Sequence, residues 1–98
     1  MIKWSNTAKY DLKQIFEYIS KDSDYYAKQV VREIIIKSES LRSFPQMGRV
    51  VPELNDVNIR EIFVYSYRLV YQISADEIQV LALIHSKRIF STNNDLER

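Results

Sequence analysis

The chain has no cysteine and a single histidine. Disulfides and thiolate metal sites are therefore excluded, and one imidazole cannot build a zinc site alone, so a protein without metal or other cofactor is expected. Glycine is nearly absent too, with Gly48 the only one, and the two prolines, Pro45 and Pro52, fall beside it. No linker, repeat or low-complexity tract divides the chain, which is expected to form one domain over residues 1–98. A long apolar run is also missing. The N-terminal MIKWSNTAKYDL carries neither a signal-peptide core nor a membrane span, so a cytoplasmic protein without membrane contact is expected. The last thing lacking is a charge surplus. Fourteen Lys and Arg face thirteen Asp and Glu for a formal +1, whereas a chain that grips phosphates usually shows a clear basic excess.

What is present is apolar periodicity. With 46% hydrophobic residues in 98, the chain suits a modest core and buries about two-thirds of its unfolded surface. Ile2 to Trp4 reads as a short strand that Trp4 anchors, after which Ser5 or Asn6 caps a helix. Ala8, Leu12, Ile15, Phe16 and Ile19 give that helix one apolar stripe ending near Lys21. Asp22-Ser23-Asp24 supplies a turn and a fresh cap, and the second helix is expected to run to about Ser43, where Pro45 stops it. Its inner stripe is Ala27, Val30, Val31, Ile34, Ser38 and Leu41. Ile35 and Ile36 spread apolar surface beyond that face, either as a wide core stripe or as a face for a partner.

Residues 44–54, FPQMGRVVPEL, read as a loop that also holds Arg49 and Glu53. Three strands follow, Ile59 to Tyr65, Tyr67 to Ser74 and Glu77 to His85, joined by turns short enough to force antiparallel pairing. In the last strand Ile78, Val80, Ala82 and Ile84 alternate with Leu81 and Leu83, so both faces are apolar, as in a central strand covered on both sides. The expected fold is α+β, a helical hairpin on a small antiparallel sheet. Arg68 stands out because it sits mid-strand between Tyr67 and Leu69. A guanidinium there must meet a carboxylate, a phosphate or water, since an unpaired buried charge costs several kcal/mol.

The succession WSNTAKYDLKQIFEYI, FPQMGRVVPEL, IREIFVYSYRLVY and VLALIHSKR resembles the RelE/ParE family of type II toxin-antitoxin toxins, the plasmid-stabilisation type. The resemblance spans Trp4 to Arg88, and YRLVY at Tyr67 to Tyr71 and the His85-x-x-Arg88 ending are its most specific pieces. It implies a growth-inhibiting toxin held silent in a hetero-oligomer by a cognate antitoxin, for which Ile35 and Ile36 are the candidate contacts. Two chemistries occur in the family. RelE-like members are ribosome-dependent mRNA endoribonucleases (mRNA interferases) that need a base, an acid and cations at the scissile phosphate. Arg68 and Arg88 match two such arginines, and Glu53 and His85 are the candidates for the remaining roles. The strand lysines of the RelE pattern, however, fall on Ile59 and Glu61, the tail IFSTNNDLER has no matching tyrosine, and the nearest histidine pattern falls on Ser86.

ParE-like members instead poison DNA gyrase without a known active site of their own, and IHSKR looks nearer to their strand ending. Gyrase is the favoured target, with Arg49, Arg60, Tyr65, Tyr67 and Lys87 as candidate contacts. The ribosome with mRNA is the alternative, and a non-toxic family member that only binds its antitoxin is a third reading. Each residue also has a plainer role. Arg68 can pair with Glu53 or Glu61 across the sheet, His85 can be a hydrogen-bonded core histidine, Lys87 and Arg88 can be solvated, and the seven tyrosines can serve mostly as core and rim packing.

Overall fold

Serine caps begin both helices of the computed structural model, which describes residues 2–86. Ser5 Oγ accepts from the Ala8 N–H at 3.0 Å and starts α1 (Asn6–Ser20); Ser23 Oγ accepts from the Tyr26 N–H at 3.1 Å and starts α2 (Asp24–Glu39). The second helix ends earlier than Pro45 alone requires. Ser40 Oγ donates to the Lys37 carbonyl at 2.6 Å and the chain tightens into a 3₁₀ turn over Ser40–Arg42, which keeps Leu41 on the buried side. Ala27, Val30, Ile34 and Ser38 form the buried stripe of α2, while Ile35 and Ile36 are exposed.

The strands are β1 (Ile2–Trp4), β2 (Arg49–Val50), β3 (Ile59–Val64), β4 (Tyr67–Ile73) and β5 (Ile78–His85), in the order β1-β5-β4-β3-β2. The α+β architecture is as expected, but the sheet is mixed. Its three long strands are antiparallel, whereas β1 lies parallel to β5, with Ile2 opposite Ile78 and Trp4 opposite Val80. Two helices separate β1 from the rest, so its direction was not set by a short turn. The loop over 44–54 also contains β2. Gly48 permits this, because a Cβ there would lie 2.6 Å from the Glu61 carbonyl oxygen and 2.7 Å from the Tyr71 hydroxyl. That hydroxyl accepts from the Gly48 N–H at 3.0 Å and donates to the Pro45 carbonyl at 2.7 Å, pinning the loop to the sheet.

A β-bulge at Leu81 reassigns the faces of β5. Tyr71 is opposite Val80 and Val70 opposite Ala82, so Leu81 has no partner and the alternation shifts by one. Ile78, Val80 and Leu83 consequently pack with the helices, while Ala82 and Ile84 face the other way with Val51 and Val70. Strict alternation would have put Ile78 and Ile84 on one face. The helix α1 holds the bulge, since Ser5 Oγ donates to the Leu81 carbonyl at 2.9 Å and buried Asp11 Oδ2 accepts from the Leu83 N–H at 3.1 Å. Among the described residues no helix is long and apolar enough to cross a membrane.

Candidate functional site

On the sheet face away from the helices, four charged side chains form one network. Phe63 is opposite Arg68 and Glu61 opposite Val70, so Glu61 and Arg68 are diagonal neighbours on one face. Arg68 Nε donates to Glu61 Oε1 at 2.7 Å, and Nη2 lies 2.6 Å from the same oxygen. The two terminal nitrogens also form a fork on Glu53, Nη1 to Oε2 and Nη2 to Oε1, both at 2.8 Å. All three guanidinium nitrogens are thus engaged by carboxylates. The second oxygen of Glu61 accepts from Arg49 Nε at 2.6 Å, and the Arg49 guanidinium lies 5.3 Å from the Phe63 ring centroid. Arg68 and Glu61 are almost fully buried, whereas more than half of the Arg49 side chain meets solvent. The Glu53 hydrogen bonds lead the effects that hold Arg68 charged above its ordinary range, against the opposing cost of burial.

The network unites Arg68 with Glu53 and Arg49, but His85 is elsewhere. His85 is opposite Tyr67 and meets its ring edge-on at 5.9 Å, on the helix side of the sheet. There the start of β4 and the end of β5 meet the helices around a cleft of about 570 Å³ whose walls include Tyr18, Tyr26, Tyr65, Tyr67 and His85. Burial, with the nearby Tyr18 and Tyr26, raises the Tyr67 hydroxyl above the usual tyrosine range. Tyr65 occupies the turn between β3 and β4 with φ 55°, a left-handed conformation usually left to glycine or asparagine. Its ring packs edge-on against Tyr26 at 6.3 Å.

Tyr65 and Tyr67 therefore closely precede Arg68 in sequence and turn away from it in space. Arg60 donates from Nε to the Val57 carbonyl and from Nη1 to the Gly48 carbonyl, bracing the β2 loop. Lys87 and Arg88 lie outside the described residues. The tyrosines, expected mostly in core and rim, lean to the surface. Tyr71 alone is fully buried, and Tyr10, Tyr18, Tyr25, Tyr26 and Tyr65 are each at least half exposed. Sequence reading also missed Tyr18 and Tyr26 as cleft residues, although both lie off the apolar stripes of their helices. Among the described residues no group of three His, Cys, Asp or Glu side chains is placed to hold a metal ion.

Residues 2–90 match the family model described as "ParE toxin of type II toxin-antitoxin system, parDE". Among solved structures, the chain is similar to a protein of the "Chromosomal ParDE TA system from P. aeruginosa", with a TM-score of 0.73, 20% identity, and coverage of 88% of this chain and 95% of that one. No curated protein gives a significant match.

Proposed function

The chain belongs to the ParE toxin family of type II toxin-antitoxin systems, and from that premise we propose that it arrests growth by binding DNA gyrase, not by cutting mRNA, until a cognate antitoxin sequesters it. The engagement of all three Arg68 nitrogens by Glu53 and Glu61 carries this reading. A cation that stabilises a developing phosphorane must present donors to the reacting phosphate, and these donors already serve two carboxylates. Glu61 also stands where the RelE pattern has a lysine, which reverses the charge beside Arg68. His85 opens onto the other face of the sheet and shares no site with Arg68 and Glu53.

A binding mode suits the tyrosine cleft. Exposed tyrosines offer large amphipathic contact area at low entropic cost and recur among residues that dominate protein interfaces. The cleft gathers Tyr18, Tyr26 and Tyr65, each at least half exposed, and among the described residues its lining has no Lys, Arg, Asp or Glu. We assign the gyrase contact to this cleft, and an antitoxin contact to the exposed Ile35 and Ile36 of α2.

Expression without antitoxin tests the toxin reading, with growth arrest expected; normal growth alongside soluble, folded protein sinks it. A paired assay tests the target. Purified protein should inhibit gyrase supercoiling of relaxed plasmid and leave mRNA intact in translating ribosomes, and the reverse pattern would establish the ribosomal alternative.

A further inference from the structure

Two pairs of rings in the tyrosine cleft meet at right angles. Tyr26 and Tyr65 stand edge-on with centroids 6.3 Å apart and planes at 82°, and Tyr67 and His85 do so at 5.9 Å and 78°. All four rings line the same cleft of about 570 Å³, together with Tyr18. An edge-on pair uses one face of one ring and leaves the remaining faces outside the contact. The cleft is thus walled by rings turned in different directions. Each tyrosine face carries the negative lobe of its quadrupole, which attracts a cation.

The rest of the lining sorts by chemistry. Ile15, Ile19 and Val30 supply apolar surface, and Gln14 supplies an amide. Among the described residues no Lys or Arg of the chain itself stands in these walls, and no Asp or Glu supplies a formal counter-charge. Electrostatic complementarity therefore selects a cation whose stem is apolar, since a methylene chain can pack on the isoleucines while the charged head stays against the rings. Keeping Tyr65 in place has a cost. Its φ of 55° is left-handed and its ring is 52% exposed, so burial does not account for a tyrosine where glycine or asparagine would sit without strain. Strain held at an exposed aromatic ring points to recognition.

We propose that the cleft is an aromatic cage for an arginine side chain presented by the protein's target, with the guanidinium on the ring faces and the stem along Ile15, Ile19 and Val30. Arginine suits it better than lysine, because a planar and weakly hydrated head stacks on aromatic rings and leaves water more readily. The tyrosine hydroxyls and the Gln14 carbonyl oxygen can accept its N–H groups, which an aliphatic side chain would not use. The inference rests on the assignment of the target contact to this cleft and deepens it by naming the chemistry that the target offers.

The test titrates the chain with N-acetylarginine amide and, separately, with N-acetylcitrulline amide, a neutral analogue of nearly the same shape, while NMR follows the ring protons of Tyr26 and Tyr65. The arginine compound should shift these rings and bind about tenfold more tightly than the citrulline compound. Tyr26→Leu keeps apolar bulk on α2 but removes the ring, and should weaken both arginine binding and gyrase inhibition by about tenfold; Tyr26→Phe keeps the ring and should weaken each by no more than about threefold. Circular dichroism reports whether each variant is folded. Equal binding of the two amides, equal losses in the two variants, or no ring shift with either amide overturns the cage, and gyrase inhibition by the wild type then leaves the gyrase reading standing. Selective arginine binding by a protein that leaves gyrase supercoiling untouched supports the cage and overturns gyrase as the target.

Discussion

Arg68 and His85 occupy neighbouring antiparallel strands yet open onto opposite faces of the sheet. Arg68 is opposite Ile84 and Tyr67 opposite His85, so one step along the ladder separates the buried ion network from the tyrosine cleft. A single side chain cannot serve both. This separation allows substitutions on one face to be read without disturbing the other.

Arg68→Ala should unfold the protein more easily, by about 3 kcal/mol in urea titration, because Glu61 remains buried with Arg49 as its remaining ion-pair partner. Adding Glu61→Gln should recover part of that loss. A drop below about 0.5 kcal/mol, the scale of an ordinary surface substitution, would show that the network contributes little to folding.

His85→Ala removes an exposed ring whose contact with Tyr67 contributes at most about 1 kcal/mol. Its melting temperature should stay within a few degrees of wild type, while affinity for gyrase falls if the cleft is the contact surface. Loss of mRNA cleavage with retained gyrase binding would instead mark the histidine as catalytic.

Tyr65→Gly relieves the left-handed φ of 55° and should gain about 1 kcal/mol from the backbone, offset by the lost packing on Tyr26. If the cleft is the proposed gyrase contact, gyrase inhibition should fall several-fold even though the fold is kept. A fully active glycine variant would remove Tyr65 from the contact surface.

Asp11→Ala leaves the buried Leu83 N–H without its carboxylate acceptor and should cost about 1–3 kcal/mol. Asp11→Asn keeps a carbonyl oxygen there and should cost less. Equal stability of the two variants would show that the hydrogen bond to the bulge has no role in holding β5.

Burial dominates at both Tyr67 and Tyr71 and raises their hydroxyls above the ordinary value of 10.0; at Tyr71 the Gly48 N–H and Arg60 pull weakly the other way. The unfolded chain therefore ionises first. The stability these groups contribute is complete below pH 10.0 and declines as pH rises beyond it. Titration followed by phenolate absorbance should show these two tyrosines resisting ionisation until the alkaline unfolding transition. Seven tyrosines titrating together in the folded protein would contradict the burial argument.

Local chemistry made much of the architecture legible. Ser23 caps α2 within the Asp22-Ser23-Asp24 turn, and the alternation from Tyr67 to Ile73 is that of β4. The two carboxylates that could meet Arg68 could also be named, since Glu61 precedes it in the same hairpin and a mid-strand guanidinium demands a partner. The faces of β5 could not be read. The bulge at Leu81 depends on Ser5 and Asp11, which lie more than seventy residues away in sequence. For the same reason the parity that assigns His85 to the cleft was hidden, as was the parallel seat of β1. The exposed tyrosines were obscured differently, because a tyrosine suits core and interface alike and only the packed helices decide which it serves.

The parallel docking of β1 on β5 has a consequence in time. Ribosomes make proteins from the N-terminus, so residues 2–4 emerge long before residues 78–80, against which they pair. Ser5 likewise waits for Leu81, its partner 76 residues later. Contacts this distant close late and slow the folding of small domains. During translation the helical hairpin can form while the sheet that receives it is still unfinished. The tyrosine cleft, which needs Tyr18 and Tyr26 from the helices and His85 from β5, is then among the last features to exist. An antitoxin that holds the early hairpin would reach this protein before the cleft proposed to meet its target had been assembled.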